Sequence, residues 1–196
     1  YHLSVDTPAS EELKLVLKNL TITPAEAIAP IQINGASQVT TYLEGENKIS
    51  INKSEKSSSR LTVSPAGISV AKGAKLTIDN EPGQQGSIEV LNNTNVSRSG
   101  AAIGGNGEQD AGIIHIKGGT VSATSASKGA AIGASVGKSV EEIRISGGNV
   151  TAKSSDGAGI GTGSAFNKEE RTGKIVIEGG TVNASSWSGA GIGSGY

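Results

Sequence analysis

The sequence predicts an all-β chain wound as a parallel β-helix, with three short strands per coil of about 28–32 residues. Three observations predict it. The second half repeats, with units beginning at Gly100, Gly129, Gly157 and Gly189, so that successive starts lie 29, 28 and 32 residues apart, a period that fits a solenoid. Within each unit apolar and polar residues alternate with period two, the pattern of a half-buried strand. Finally, 29 of the 196 residues are Gly and only 3% are aromatic, so a core must be built from small and β-branched side chains in thin, closely stacked layers.

Residues 1–99 lack the strict repeat but follow the same grammar. Segments 13–23, 30–35, 39–45, 47–52, 60–70, 74–79 and 87–93 alternate or run apolar over strand lengths, with Gly, Pro, Asn and Ser between them. "SEELKLVLKNL" has two readings. Ser10 could cap a helix whose apolar face holds Leu13, Val16, Leu17 and Leu20, or Leu13, Leu15 and Leu17 could line one face of a strand. We favour the strand. No linker-like composition divides the halves, so residues 1–196 read as one solenoid, irregular over 1–99 and regular over 100–196.

In the regular units, Ile114, Ile143 and Ile175 share one column and Ile116, Ile145 and Ile177 another. Val121, Val150 and Val182 follow, then Ala123, Ala152 and Ala184. These should point inward. Between them fall His115, Arg144 and Val176, then Thr120, Asn149 and Thr181, then Ser122, Thr151 and Asn183, a mostly polar outer set. The glycine pairs 118/119, 147/148 and 179/180 separate two alternating runs, where the chain must turn a corner. A third short strand carries one large inward residue: Ile103, Ile132, Ile160 or Ile192.

The register disposes of several motifs. "GASVGKS" (133–139) looks like a phosphate-binding loop, but Gly133 and Gly137 leave three intervening residues where four are needed. A strand-like "SVEEIRISGG" follows where a helix is required, so the stretch reads as a loop between coils. "GAGIGTG" does not complete a dinucleotide fingerprint. "GGNGEQDAG" resembles a calcium-binding nonapeptide, but Asp110 falls one place late and the other units lack a matching Asp. We therefore expect no cofactor, with calcium as the one alternative.

Composition narrows the function. Lys+Arg (17) and Asp+Glu (18) nearly cancel, which removes the basic field of a nucleic-acid binder. Without Cys there is no thiolate chemistry, and His2 and His115 alone cannot assemble a histidine metal site or triad. No apolar run approaches the ~20 residues of a membrane span. With no Met and a fourth unit that stops early, the chain is expected to be a piece of a larger multidomain protein.

The units "GAAIGGNGE…GIIHIKGGTVSAT" and "GAGIGTGS…GKIVIEGGTVNAS" resemble the Gly-rich repeats of large secreted or wall-attached proteins of Gram-positive bacteria. "VTTYLEGENKISI" is similar to the lead-in of bacterial carbohydrate-binding β-helix domains. The resemblance implies a right-handed helix, a location outside the cell, and a role as adhesin, glycan binder or accessory module of a surface enzyme. It carries over no catalytic motif.

The expected function is a non-catalytic surface module binding a glycan or host surface protein. A sugar ring could pack on Trp187, Tyr42, Phe166 or Tyr196, and sugar hydroxyls could bond the ladder Thr120, Asn149 and Thr181. One alternative is a spacer holding neighbouring domains. Another is a polysaccharide lyase or hydrolase, for which Glu108 with Asp110, Glu141 with Glu142 and Lys138, and Glu169 with Glu170, Lys168 and Arg171, all expected in loops after the Ile strands, are the nearest charged sets.

Overall fold

The computed structural model describes residues 2–56, 61–165 and 173–196. The chain is all-β there, and its strands follow one another around a solenoid. β1 (Leu3–Val5), β2 (Glu12–Lys18) and β3 (Thr21–Ile22) make the first coil. The second has β4 (Ile31–Ile33) and the long β5 (Gln38–Ile51), followed by a side excursion with β6 (Glu55–Lys56) and β7 (Thr62–Ser64). The third has β8 (Ile68–Val70), β9 (Lys75–Asn80) and β10 (Gly86–Asn92). After β11 (Arg98–Ser99) come three regular coils: β12 (Ile103–Gly104), β13 (Ala111–Ile116) and β14 (Thr120–Ser125); β15 (Ile132–Gly133), β16 (Val140–Ile145) and β17 (Asn149–Ser154); β18 (Ile160–Gly161), β19 (Lys174–Ile177) and β20 (Thr181–Ser186). β21 (Ile192–Gly193) opens the next.

Strands in equivalent positions stack in parallel. Sheet A is the unbroken path β1-β4-β8-β12-β15-β18-β21. Sheet B stacks β2, the first half of β5, β9, β13, β16 and β19. Sheet C stacks β3, the second half of β5, β10, β14, β17 and β20. β5 turns the B–C corner without a break, at Gly45 with φ 64°, and so joins the two sheets into one. Among the described residues only β6 with β7 and a single Ala71–Ala111 bridge are antiparallel. This is a parallel β-helix. The "SEELKLVLKNL" segment is strand, because Leu13, Leu15 and Leu17 register on Val39, Thr41 and Leu43 of β5.

The inward columns form the core. In sheet A, Leu3, Ile31, Ile68, Ile103, Ile132, Ile160 and Ile192 stack in one file. Ile114, Ile116, Val121 and Ala123, with their partners Ile143, Ile145, Val150 and Ala152, are fully buried. Fully burying each Ile or Val stabilises by roughly 1.5–3 kcal/mol. In the last coil the same columns are more open, with Ile177 at 44% and Ile192 at 46% exposure, since no further rung covers them among the described residues.

The glycine pairs do turn the B–C corner: Gly119, Gly148 and Gly180 have φ of 82°, 82° and 83°. In the left-handed region a side chain would be strained. The "GASVGKS" stretch starts at Gly133, the end of β15, and loops into β16 with no helix, so it lies within one coil and not between coils. One expectation needs correction. Glu141 and Glu142 are not in a loop but within β16, because the alternation that includes inward Val140 starts the strand earlier than the Ile columns suggest.

Candidate functional site

Of the three ladders of outward side chains along sheet C, two flank the glycine corner side of the face. The first is Glu46, Ser87, Thr120, Asn149 and Thr181; the second is Thr21, Lys48, Glu89, Ser122, Thr151 and Asn183. Strand pairing fixes the register, so neighbours within a ladder are about 4.8 Å apart. Thr120, Asn149 and Thr181 are all exposed, as the alternation requires.

Between the ladders, where coils one to four meet, lies an open trough of ≈ 440 Å³ with sides formed by Lys48, Glu89, Thr120 and Ser122. That is within the ~300–1,000 Å³ usual for ligand sites. Lys48 Nζ and Glu89 pair at 2.6 Å along one side of it, both about half exposed. The pair offers an ammonium donor and a carboxylate acceptor side by side with the Ser and Thr hydroxyls. Beneath, buried Asn47 holds three coils together: its Oδ1 accepts from Leu20 N at 3.0 Å and its Nδ2 donates to Ser87 O at 3.0 Å and Glu44 O at 3.3 Å. The floor is therefore fixed before any ligand arrives.

A second, smaller recess of ≈ 240 Å³ adjoins the first at Thr120 and reaches the glycine corner of Gly118, Gly119 and Gly148. Gln85, at the end of the loop from Glu81 to Gln85, forms part of its wall with Asn80 and Gly86. This loop replaces the short corner of the regular coils and is pinned by Gly86 N donating to Asn80 Oδ1 at 3.1 Å. Bare peptide at the glycine corner lets a ring approach the backbone closely.

The structure brings Thr120 and Asn149 to this surface, with Thr181 continuing the file. It does not bring Trp187 or Tyr42 there. Trp187 is 90% exposed beyond the far end of β20, with its backbone N donating to Ser154 O and Ser155 O at 3.1 Å. Tyr42 is half-buried on the outside of sheet B, in register with Val16 and Asp79. Tyr196 is exposed beyond β21, and Phe166 lies outside the described residues. Lys48, Glu89, Glu46 and Ser87 were missed by sequence reasoning. Matching "SIEVLN" (87–92) to "TVSATS" (120–125) by inward Ile88/Val121 and Val90/Ala123 would have found Glu89 and Ser87.

The acidic sets considered for lyase chemistry are dispersed. Asp110 Oδ1 accepts from Ser139 N at 3.0 Å, and its other oxygen lies 3.7 Å from Lys72 Nζ. Glu141 accepts from Gly73 N at 3.3 Å. Glu142 pairs with Lys174 at 3.1 Å and Arg144 at 3.5 Å, and Arg144 also pairs with Glu178. Lys168, Glu169, Glu170 and Arg171 lie outside the described residues. Among the described residues no three His, Cys, Asp or Glu side chains are grouped to hold a metal ion, and no helix is long and apolar enough to cross a membrane.

On sheet B, His115 Nε2 lies 2.9 Å from Ser146 Oγ. Partial burial lowers the imidazole pKa below its ordinary 6.5, and the charges of Lys75, Arg144 and Lys117 lower it further, against a smaller opposing effect of Glu178. The hydrogen bond from the Lys174 ammonium lowers the Glu142 carboxyl, with Arg144 adding to it.

The Beta helix repeat family matches residues 114–136, 143–164 and 175–196. Each stretch begins at an inward Ile of sheet B, namely Ile114, Ile143 and Ile175. This part of the chain is a beta-helix repeat region. No curated protein and no solved structure matches the chain.

Proposed function

We propose that this β-helix is a non-catalytic recognition module that binds a glycan on the outer face of sheet C. The observation that supports it is the trough at Thr120, in which the hydroxyls of Ser87, Thr120 and Ser122 and the Lys48–Glu89 pair share one fixed surface. Polyol ligands are recognised by such mixed donors and acceptors. A surface or secreted protein of a Gram-positive bacterium fits the resemblance of the repeats, and the partner there would be a glycan of a cell or host surface.

A glycan-array screen of the chain beside the Thr120→Val variant tests the reading. Saturable binding that Thr120→Val weakens supports it. A structural spacer is the second reading, favoured by the unbroken stack of sheet A from Leu3 to Ile192. It gains if the array shows no ligand.

A further inference from the structure

We infer that the ligand of the sheet C trough is an extended, linear, neutral glycan lying along the solenoid axis, across the strands. The inference rests on the proposed function and specifies its ligand class.

The direction follows from the walls. Thr21, Lys48, Glu89 and Ser122 each come from a different successive coil, so the trough's length runs from coil to coil. Along a strand the face is narrow: the outward residues of β14 are only Thr120, Ser122 and Thr124, between the glycine corner and the next turn. Along the axis the second ladder continues through Thr151 and Asn183, six rungs from Thr21, or about 24 Å.

The spacing selects the shape. A β-1,4-linked pyranose chain is nearly straight and advances by about one rung spacing (~5 Å) per sugar, so its sugars stay in step with the rungs, alternate sugars presenting opposite edges to them. A helically coiled glycan cannot follow a straight file. Strand pairing holds the rungs at that repeat before binding, which reduces the ordering cost.

The chemistry selects neutrality and length. Lys48 and Glu89 neutralise each other at 2.6 Å, and the carboxylate that remains in the lining, Glu46, repels an acidic polymer, so an uncharged chain is favoured over a polyanion. Neither ladder contains an aromatic ring, so affinity comes from hydrogen bonds, each of small net worth in water. Binding must then accumulate over several sugars.

Isothermal titration with cello-, xylo- and chito-oligosaccharides from disaccharide to hexasaccharide, with maltohexaose as the coiled contrast, tests this. We expect one linear series to gain about tenfold or more in affinity from disaccharide to hexasaccharide and to exceed maltohexaose. Lys48→Ala, at the second rung, and Asn183→Ala, at the far end of the file, should each weaken the hexasaccharide. A disaccharide as tight as the hexasaccharide, equal binding of maltohexaose, or an array ligand without binding of any linear series overturns the inference and leaves the proposed function standing. Absence of any glycan ligand overturns both.

Discussion

Gly104 and Gly133 stack so closely in sheet A that a Cβ on Gly104 would collide with the Gly133 carbonyl. The same relation holds between Gly133 and Gly161, and between Gly161 and Gly193. Their φ values of 136°, 135° and 139° also lie where L side chains are rarely found. Gly133→Ala therefore meets both backbone strain and overpacking against main chain, and should destabilise by about 3 kcal/mol or more. Gly83→Ala, strained by its φ of 77° but with open space around it, should cost less. Urea unfolding of the two variants makes the comparison.

The isoleucine file of sheet A gives a second contrast. Ile132 is fully buried between Ile103 and Ile160, whereas Ile192 is 46% exposed. Ile132→Ala should cost about 2–5 kcal/mol, the usual price of a buried cavity, and Ile192→Ala less than half as much. Equal losses in thermal denaturation would mean that Ile192 is covered in solution.

Ser125 and Ser154 are register partners with opposite hydrogen-bond fates. Ser154 Oγ donates to Gly129 O at 2.9 Å, and Ser186 Oγ to Gly157 O at 2.7 Å. The matching acceptor for Ser125 is Gly100 O, which Asn92 Nδ2 already engages at 3.0 Å. Ser125 Oγ is consequently buried without a partner. Ser154→Ala should destabilise by about 1–2 kcal/mol, while Ser125→Ala should be neutral or slightly stabilising. Chemical denaturation of both variants reads the difference in sign.

The legibility of these features in the sequence followed the spacing of the coils. Ile103, Ile132, Ile160 and Ile192 are 29, 28 and 32 residues apart, so the columns of the regular coils could be aligned by eye, and inward and outward faces followed from alternation. Ile31, Ile68 and Ile103 are 37 and 35 apart. The β6–β7 excursion and the Glu81–Gln85 loop lengthen those coils, and β5 turns its corner at one Gly rather than a pair. The repeat was hidden there, and with it the half of the trough made by Lys48 and Glu89. Thr120 and Asn149 were legible because they sit in the regular coils. Trp187, the only Trp, directly follows β20, a placement that its rarity in the sequence does not reveal.

Acidification should destabilise the fold through His115. Its folded pKa is lowered from 6.5 by burial first and then by Lys75, Arg144 and Lys117. Between 6.5 and the lower folded value the unfolded chain binds the proton and the folded chain does not. Stability associated with this group is thus full above 6.5 and is lost as pH falls through that window. Glu142, lowered from 4.5 chiefly by the Lys174 hydrogen bond, adds a further loss of the same sign below 4.5. The pair with Lys174 is solvent-accessible, so the second step should be small. Melting temperatures of wild type and His115→Gln across pH 7 to 5 test this: the variant should show the flatter profile.

Trp187 and Thr120 make opposite predictions for binding. The Trp187 ring is 90% exposed, so Trp187→Ala should change stability by less than about 0.5 kcal/mol. It follows Thr181 by six residues along an extended strand, about 20 Å, and lies beyond the opposite end of sheet C from the Thr120 ladder. A ligand seated at Thr120, Ser122 and Lys48 would not touch it. Titration of one glycan ligand against Trp187→Ala, Thr120→Val and wild type should therefore show loss only in Thr120→Val. Loss only in Trp187→Ala would move the site to the rim of the last coil, where the ring stands clear of the ladders and the affinity would come from stacking on an aromatic face rather than from hydroxyls held in register.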